Sequence, residues 1–591
     1  PIRISGPAMM HRFLDTMWGQ ANALFAPLRR RRWVDLLLVA AAFGMLYGLI
    51  LLGRQWTDIQ RPVLEIDLSP MALPKYTFFS MMRGLAAYLI SFLFTLAYAY
   101  WAAKDARSER LLVPLLDILQ SIPVMTFIVP LMLALVAAFP HSNVGIELTA
   151  IIAIFTGQAW NMTFSLYHSL KSVPAELQEA GTVYRFNWWQ RFKWIELPFA
   201  TTGLAWNSMM SMAGGWFFLM LVEAFKLGDK DFRVPGLGSY MSMAVERHDV
   251  RAQLCAVAAM IIMIVLLDQV LWRPIVVWAQ RFRIEDTVQN ADAQSWFLNL
   301  IRGSRLIRRW DRWRARRRRM QQHRHIAKAQ PQGDKGAERA AHAAPLLALI
   351  ALIILTGFLV LGGFGVIHLL NRLHSGAWWT LLKAAGLTLS RVMASILIGL
   401  CWTLPAGLAI GLSQRLSRIF QPIVQVAASF PAPMLFPVVV AILASFKIGL
   451  GWGSIVLMLL GTQWYILFNV IAGASAIPSD LREVGTAFGF SRWQRFRNLY
   501  LPAVFPYLVT GCLTAAGGAW NASIVSEYYN ISGPTLQTFG LGAIVSQAGE
   551  SRNFPLLAAS TLVLAGTVVL FNRLVWKPLY KIAETHYSLS K

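Results

Sequence analysis

The chain has 591 residues, of which 56% are hydrophobic and 14% charged, and its mean hydropathy is +0.50. A water-soluble protein of this size cannot hide so much apolar surface, whereas a lipid bilayer accepts it. The net charge is +25, and much of it falls in one run from Arg302 to Arg319. The three cysteines lie inside apolar runs, so disulfides are not expected. The composition predicts an all-α protein that crosses a membrane many times.

Twelve apolar runs follow one another along the chain. Each is near the ~20 residues that a helix needs to cross the hydrocarbon, and backbone groups cannot stay unpaired in lipid, so we expect twelve transmembrane helices. In the first half the predicted spans are about 34–53, 84–103, a proline-containing third span from about 111, then about 147–169, 199–224 and 253–278. In the second half they are about 345–370, 384–412, 421–445, 451–473, 503–526 and 554–576.

The spans fall into two groups of six. Lys and Arg are concentrated before span one, between spans two and three, between spans four and five, and after span six, and such basic loops stay in the cytoplasm. An even number of spans then places both termini in the cytoplasm. The predicted parts are a cytoplasmic N-terminal segment, the first half, a basic cytoplasmic linker, the second half and a cytoplasmic tail, at 1–33, 34–278, 279–343, 344–580 and 581–591.

One segment occurs twice. Residues 174–198 read PAELQEAGTVYRFNWWQRFKWIELP and residues 478–502 read PSDLREVGTAFGFSRWQRFRNLYLP, so every shared residue keeps an offset of 304. We name these the first and second repeat segments. Each is polar and basic and lies between two apolar spans, which is typical of a loop with a task outside the bilayer.

Local signals predict two short helices in each repeat segment. Pro174 suits the first turn of a helix, and Gly181 is expected to let the chain turn. Asn187, or Ser491 in the second copy, can begin the next helix. A single copy would fit an ordinary amphipathic interfacial loop equally well. Two copies with the same Glu and Gly argue for a specific contact, because lipid does not demand such a match.

The duplication extends beyond the repeat segments. Matches at the same offset of 304 include Gly157/Gly461, Trp160/Trp464, Gly214/Gly518, Trp216/Trp520, Glu223/Glu527, Gly236/Gly540 and Gly238/Gly542. Because each half has an even number of spans, the halves have the same orientation in the membrane and form parallel repeats about a pseudo-twofold axis. A site on that axis would be lined by both halves.

The repeat segments resemble the cytoplasmic coupling motif of ATP-binding-cassette (ABC) importer permeases. The motif, Glu-Ala-x-x-x-Gly followed by Leu-Pro, is matched with a shorter spacing by Glu179-Ala180-Gly181 with Leu197-Pro198, and by Glu483-Val484-Gly485 with Leu501-Pro502. The resemblance covers about 80–280 and 380–580 and implies two type I permeases fused in one chain in a bacterial inner membrane. It further implies that each loop docks on an ABC ATPase subunit. The implied coupling residues are Glu176, Glu179, Ala180, Gly181, Phe186, Asp480, Glu483, Val484, Gly485 and Phe490.

The chain has no Gly-x-x-x-x-Gly-Lys-Ser/Thr motif, so we expect it to be non-catalytic and to carry no cofactor. ATP and Mg would then be bound by two partner ATPase subunits. The segment from Gly518 to Glu527, followed by Gly540-Leu541-Gly542, resembles the permeases for nitrate, sulfonates, taurine and bicarbonate. The resemblance implies a small anionic solute and a periplasmic or lipid-anchored solute-binding protein.

Polar or aromatic side chains inside the spans are candidates for lining the path, although hydrogen bonding between helices is the favoured explanation for such groups. Because a carboxylate repels an anion, a gate or a structural hydrogen bond is the expected role of Glu223 and Glu527. The predicted path residues are Gln158, Asn161, Trp216, Glu223, Gln463, Trp520, Asn521, Ser523 and Glu527.

Ten arginines lie between Arg302 and Arg319, with Trp310 and Trp313 among them. A nucleic-acid contact is one interpretation. Attraction to anionic lipid headgroups, worth about 1 kcal/mol per charge near the surface, is favoured because the run follows a cytoplasmic span end. No histidine has metal-ligand spacing, so no metal site is expected.

Other classes of membrane protein share the span count. An ATP-independent secondary transporter with two six-helix halves is the main alternative, but it has no need for paired loops between spans four and five. An ABC exporter usually has long cytoplasmic helix extensions, which the predicted spans lack. A membrane scaffold would not need the helix-breaking Pro and Gly residues of spans three and five.

Overall fold

A computed structural model describes residues 32–58, 65–227, 230–282, 295–304, 360–529 and 535–587, together with 313, 353, 356 and 357. The chain forms two compact units. One comprises residues 1–55 and 266–350, and the other comprises 56–265 and 351–591.

In the unit of 1–55 and 266–350, short polar contacts hold the helix Trp296–Gly303 in place. The Trp296 indole donates to Gln269 Oε1 at 3.0 Å, and the Ser304 hydroxyl donates to Asp35 Oδ1 at 2.6 Å. Most of the basic run from 305 to 319 lies outside the described residues.

Helices dominate both halves of the chain. In the first half they are Arg32–Thr57, Leu73–Lys104, Ala106–Ser121, Met125–Ala138, Val144–Lys171, Ala175–Val183, Trp188–Arg191, Leu197–Glu223, Leu237–Glu246, Val250–Leu267 and Arg273–Ala279. In the second half they are Val360–Leu370, Ser375–Leu412, Gln414–Ser429, Phe436–Ser445, Leu450–Ser475, Ser479–Ala487, Arg492–Arg495, Leu501–Ser526, Leu541–Glu550, Phe554–Phe571 and Lys577–His586.

By length and composition, seven of the described helices can cross a membrane, or eight if one bent pair counts as a single span. Val144–Lys171 and Leu197–Glu223, with 28 and 27 residues, also have the length to cross. The described helices follow the twelve predicted spans in order, the seventh only through its last part, Val360–Leu370. The chain is thus an all-α polytopic membrane protein.

The third span of each half is two helices rather than one. In the first half, Ala106–Ser121 and Met125–Ala138 meet at an angle of 96° around Pro123. A proline lacks the N–H that would continue the helix, and it disfavours helical geometry in the residue before it. The second half repeats the break between Gln414–Ser429 and Phe436–Ser445.

The helices Leu197–Glu223 and Leu501–Ser526, which we name the fifth-span helices, run in the same direction. Their final turns line one shared cavity. Nearer the start of each helix, the matched Gly214 and Gly518 both face Tyr465. A Cβ added at Gly214 would lie 3.7 Å from the Tyr465 hydroxyl, and a Cβ added at Gly518 would lie 3.5 Å from the Tyr465 ring. The halves are therefore parallel repeats. Both repeat segments join these helices at their first residues, so they lie at the end away from the cavity, roughly 40 Å along each helix at 1.5 Å per residue.

Each fifth-span helix is followed by a hairpin of two-residue strands and a short helix. Lys226–Leu227 pairs with Lys230–Asp231 in the first half, and Tyr528–Tyr529 pairs with Leu536–Gln537 in the second. We name the following helices, Leu237–Glu246 and Leu541–Glu550, the cavity helices.

Candidate functional site

The first helix of each repeat segment ends in the same way. Phe186 N–H donates to Gly181 O at 2.9 Å and Arg185 N–H to Thr182 O at 3.0 Å, which is the Schellman arrangement. In the second copy the corresponding bonds, Phe490 to Gly485 and Gly489 to Thr486, measure 3.0 and 3.1 Å. The matched phenylalanines therefore terminate the helix through their backbone.

The expectation that Gly181 turns the chain is wrong. Gly181 lies inside the helix Ala175–Val183, and the left-handed turn position is Arg185, with φ 51°, or Gly489 in the second copy, with φ 65°. Gly181 instead packs closely on the rest of the segment, since an added Cβ would lie 2.8 Å from Ile195 Cδ1, the flexible end of that side chain. At Gly485 the corresponding distance, to Leu499 Cδ1, is 3.5 Å.

The second helix of each repeat segment begins where predicted. Asn187 accepts a hydrogen bond from Gln190 N–H at 2.8 Å, and Gln190 Oε1 accepts one from Asn187 N–H at 3.0 Å. Ser491 and Gln494 form the same reciprocal capping box in the second copy. The reciprocal hydrogen bonds of the capping box explain why both repeat segments have Gln at this position.

A five-residue π-helix then connects each repeat segment to its fifth-span helix, at Phe192–Glu196 and Phe496–Tyr500. In both copies a proline follows two residues later. Proline has no N–H, so it cannot form the usual i→i−4 bond at this position. The matched Leu-Pro pair therefore marks the same change of helical register in each half.

The predicted coupling residues divide into buried and accessible groups. Gly181 and Gly485 are buried, and Ala180, Phe186 and Phe490 are partly buried. Glu176, Glu179, Asp480, Glu483 and Val484 are exposed. Large apolar side chains lie open beside the acids, with Val183 79%, Tyr184 73% and Phe488 74% exposed. Each repeat segment thus presents acidic and apolar groups together on one accessible surface.

The predicted path residues do not form one group. Trp216, Trp520, Ser523 and Gln158 are buried: Trp216 packs on Gly84, Ser523 donates to Trp520 O at 2.8 Å, and the Gln158 amide lies near Met212 Sδ. Asn161 is exposed, and Gln463 accepts from the Trp402 indole at 3.0 Å.

Asn521 is the predicted path residue that joins the two halves. Its Oδ1 accepts a hydrogen bond at 3.0 Å from Val124 N–H, which belongs to the broken third span of the first half. Its Nδ2 donates to Gly517 O at 3.1 Å within its own helix. The matched position in the first half is Phe217, so this link exists on one side only.

Glu223 and Glu527 hold the cavity helices to the fifth-span helices. Glu223 accepts from Arg83 at 2.6 Å, Ser80 at 2.7 Å and Gly238 N–H at 2.8 Å. In the same way, Glu527 accepts from Arg391 at 2.8 Å, Thr388 at 2.9 Å and Gly542 N–H at 2.9 Å. Both carboxylates are occupied by donors of their own half, so we leave them out of the proposed path.

The matched glycines make this contact possible. An added Cβ at Gly236 or Gly540 would lie 2.3 Å from the Glu223 or Glu527 carboxylate. Upstream of the fourth span the two halves match at an offset of 308, as at Pro123 and Pro431, because the first half has four extra residues. Sequence reasoning missed Arg83 and Arg391, which match at this offset. Arg83 also binds Glu147 at 2.5 Å, an acid that has no counterpart at Gly451 in the second half.

A cavity of 420 Å³ lies between the two halves at the ends of the fifth-span helices. Many of its lining residues come in matched pairs, including Phe225/Tyr529, Ser242/Ser546 and Glu246/Glu550. Sequence reasoning did not single out Glu246 and Glu550, although their offset of 304 was available as a signal. Residues of both halves line this cavity, as the duplication leads us to expect for a site on the predicted pseudo-twofold axis.

Comparisons with known proteins agree with two permease units. The family described as "Binding-protein-dependent transport system inner membrane component" matches residues 95–271 and 403–575, more than half of the chain. Similar curated proteins include the nitrate import permease protein NrtB of Synechococcus elongatus, 25% identical over 147 residues, which are 25% of this chain and 51% of that protein. The taurine transport system permease protein TauC of Escherichia coli is 27% identical over 192 residues, which are 32% of this chain and 64% of TauC.

A third relative is the bicarbonate transport system permease protein CmpB of Synechocystis, 24% identical over 155 residues, or 26% of this chain and 52% of CmpB. The chain thus spans between 51% and 64% of the length of these three relatives. The two family matches fall in the two halves and keep the order of the internal repeat. This chain therefore belongs to the family of binding-protein-dependent transport system inner membrane components and contains two copies of its domain.

Proposed function

We propose that this chain is the membrane-spanning permease of an ABC importer, with both permease units joined in one polypeptide. Two partner ATPase subunits bind ATP and Mg, and the chain itself catalyses no reaction. A periplasmic or lipid-anchored binding protein delivers the solute. The chain lies in a bacterial inner membrane, with both termini and both repeat segments in the cytoplasm.

One observation carries this proposal: two surface segments far apart in the chain share the same capping box, the same Schellman end and the same buried glycine. Their exposed acidic and apolar side chains remain available to a partner. A secondary transporter has no need for two such segments at one end of its fifth-span helices. A pair of ATPase subunits supplies one partner for each.

In the proposed mechanism, ATP binding draws the ATPase subunits together, and the repeat segments follow. Each segment continues through its π-helix into a fifth-span helix of 26 or 27 residues, which reaches the shared cavity. Movement of the repeat segment at one end of this helix therefore changes the shape of the cavity at the other end. The hydrogen bond between Asn521 and Val124 is one of the contacts between halves that this motion would affect.

The solute is proposed from the relatives, whose names specify nitrate, taurine and bicarbonate. By this similarity the chain conducts a small anionic solute. The proposed path runs along the axis between the halves. For the Arg302–Arg319 run we propose contact with anionic lipid headgroups, because ten positive charges follow a cytoplasmic span end.

Charge reversal on the repeat segments tests the proposal. The double variant Glu179→Arg with Glu483→Arg should reduce co-purification of an ATPase with the tagged chain by about tenfold or more, because reversing charges inside an interface costs on the order of 1.4 kcal/mol or more. Solute uptake should fall in parallel.

The matched control is Glu65→Arg. Glu65 is an exposed acid that precedes the first residue of the helix Leu73–Lys104. The last residue of that helix, Lys104, binds Glu196 of the first repeat segment at 2.5 Å. Thirty-two residues of helix therefore separate the control from the segment, roughly 48 Å. Undiminished ATPase co-purification by the double variant would overturn the proposal.

A further inference from the structure

Residues 104–109, which we name the charged turn, lie where the second span of the first half meets the third. Lys104 ends the helix of the second span, and its ammonium group binds Glu196, the last residue of the π-helix, at 2.5 Å. At the other end of the turn, Glu109 binds Lys171, the last residue of the fourth-span helix, at 2.7 Å. The charged turn therefore holds the chain both before and at the end of the first repeat segment.

The link between Lys104 and Glu196 has a buried member. The Glu196 side chain is 3% exposed, and its second carboxylate oxygen, Oε2, has no hydrogen-bond partner within the described part of the chain. Loss of Lys104 would strand this buried charge, which is the costly way to break an ion pair. The second link has a third member, because the Tyr167 hydroxyl donates to Glu109 at 2.6 Å. Both links are thus more than pairs of exposed side chains, which contribute little.

The second half has the same turn without these links. Its turn, 412–417, lies at the offset of 308, and Ser413 caps the next helix as Asp105 does in the first half. The residues that match the two ion pairs carry no charge, and they are Leu412 with Tyr500 and Ser417 with Ser475. Leu412 and Tyr500 pack instead as partly buried side chains against the apolar core of the second half.

The helix that ends in the charged turn also contacts the cavity end of its half. Arg83 lies in this helix, roughly 30 Å before the turn at 1.5 Å per residue, and it binds Glu223, the last residue of the fifth-span helix. The second-span and fifth-span helices of the first half are therefore ion-paired at both ends. In the second half, Arg391 and Glu527 form the pair at the cavity end, whereas the other end has the uncharged Leu412.

We propose that Lys104 acts through Glu196 as a positioning residue, which fixes the first repeat segment to its half so that this half moves with its ATPase as one body. The second repeat segment tilts more freely against its half, because the hydrophobic contact in place of the ion pair is non-directional. This inference rests on the proposed function and gives unequal roles to its two coupling loops.

The first experiment needs no ATPase. The full chain is placed in lipid nanodiscs, and amide hydrogen exchange is followed at residues 188–196 and at the matched residues 492–500. In the parent, 188–196 should exchange more slowly. Lys104→Met and Glu196→Gln should each speed exchange at 188–196 by about fivefold or more and leave 492–500 unchanged, because only the first segment loses a link. Glu196→Gln strands no buried charge, so it serves if Lys104→Met does not fold.

Two variants of the charged turn are matched controls. Lys104→Arg keeps the positive charge and should retain the slow exchange of the parent. Arg107→Met removes an exposed cation of the same turn that forms neither link, and it should also exchange like the parent. Equal exchange of the two segments in the parent, or unchanged exchange in the folded Lys104→Met or Glu196→Gln variant, would overturn the inference.

The second experiment measures transmission in the complete complex. Spin labels are attached at Arg247→Cys and Ser551→Cys, matched exposed positions directly after the cavity helices, in a chain with alanine at its three native cysteines. The complex with its ATPase subunits is purified from native membranes, and the distance between the labels is measured with and without ATP and Mg. The ATP-dependent change in this distance should be at least about twofold smaller in Lys104→Met, because a loosened segment passes less of the driving free energy to its half.

Arg107→Met should show the full ATP-dependent change. A change of equal size in Lys104→Met and in the parent would overturn the inference and leave the proposed function standing. A parent distance that does not respond to ATP would contradict the proposed function itself, and the inference with it.

Discussion

Arg83 is completely buried and joins four parts of the first half. Its guanidinium donates to Glu147 and Glu223, and also to Pro235 O at 2.8 Å. Arg391 makes the corresponding contact with Glu527, its one acidic partner among the described residues, and its side chain is 12% exposed. Both halves therefore have an arginine paired with a glutamate at this position, but Arg83 is more deeply buried than Arg391.

This difference predicts unequal effects of removing the arginines. Arg83→Leu leaves two buried carboxylates without their cation, and it should cost about 3–5 kcal/mol of stability, the usual penalty for breaking a buried pair. Arg391→Leu strands one carboxylate and should cost less. Thermal unfolding in detergent measures both. A larger loss of stability in Arg391→Leu than in Arg83→Leu would contradict this account of the two arginines.

Residue-level inference from the sequence succeeded where a signal was local. Asn187 and Ser491 were predicted as helix starts because their side chains cap the next helix directly. Arg83 was missed because its partners lie 64 and 140 residues away, and nothing in the local pattern of an apolar span shows such a contact. The sequence shows Glu223 and Glu527 as acids inside spans, but only the structure shows which groups donate hydrogen bonds to them.

At the scale of elements, three prolines lie where helices change. Pro123 lies at the break of a predicted span, and Pro198 and Pro502 each follow a π-helix. The sequence could locate these prolines but not the 96° angle, which depends on packing against other helices. The turn role assigned to Gly181 was wrong because the Schellman end places the left-handed residue four positions later.

Packing in the repeat segments predicts that their two glycines tolerate substitution differently. Gly181→Leu forces a side chain against Ile195 at 2.8 Å, whereas Gly485 has 3.5 Å of space before Leu499. Solute uptake in proteoliposomes of the full complex should therefore fall further in Gly181→Leu than in Gly485→Leu. The amount of folded chain, measured by size exclusion, is the control. Equal uptake in both variants and the parent would refute this role of the glycines.

At the scale of the whole molecule, the constant offset of 304 predicts two halves with the same orientation, and the shared cavity and Tyr465 contacts agree. The offset could not predict which matched pairs face the axis. Glu246 and Glu550 face the cavity, whereas Glu223 and Glu527 turn toward their own halves. The residue differences at Asn521 and Glu147 are visible in the sequence, but their contacts with Val124 and Arg83 required the structure.

The most direct test of the central proposal is photo-crosslinking from the repeat segments in native membranes. A photo-reactive residue replaces Glu179 or Glu483, both of which are exposed, and captured proteins are identified by mass spectrometry. An ABC ATPase subunit should be captured from each position, and none from the same residue placed at Glu65. Capture of no ATPase from either repeat segment would contradict the proposal that external ATPases drive this permease through its two segments.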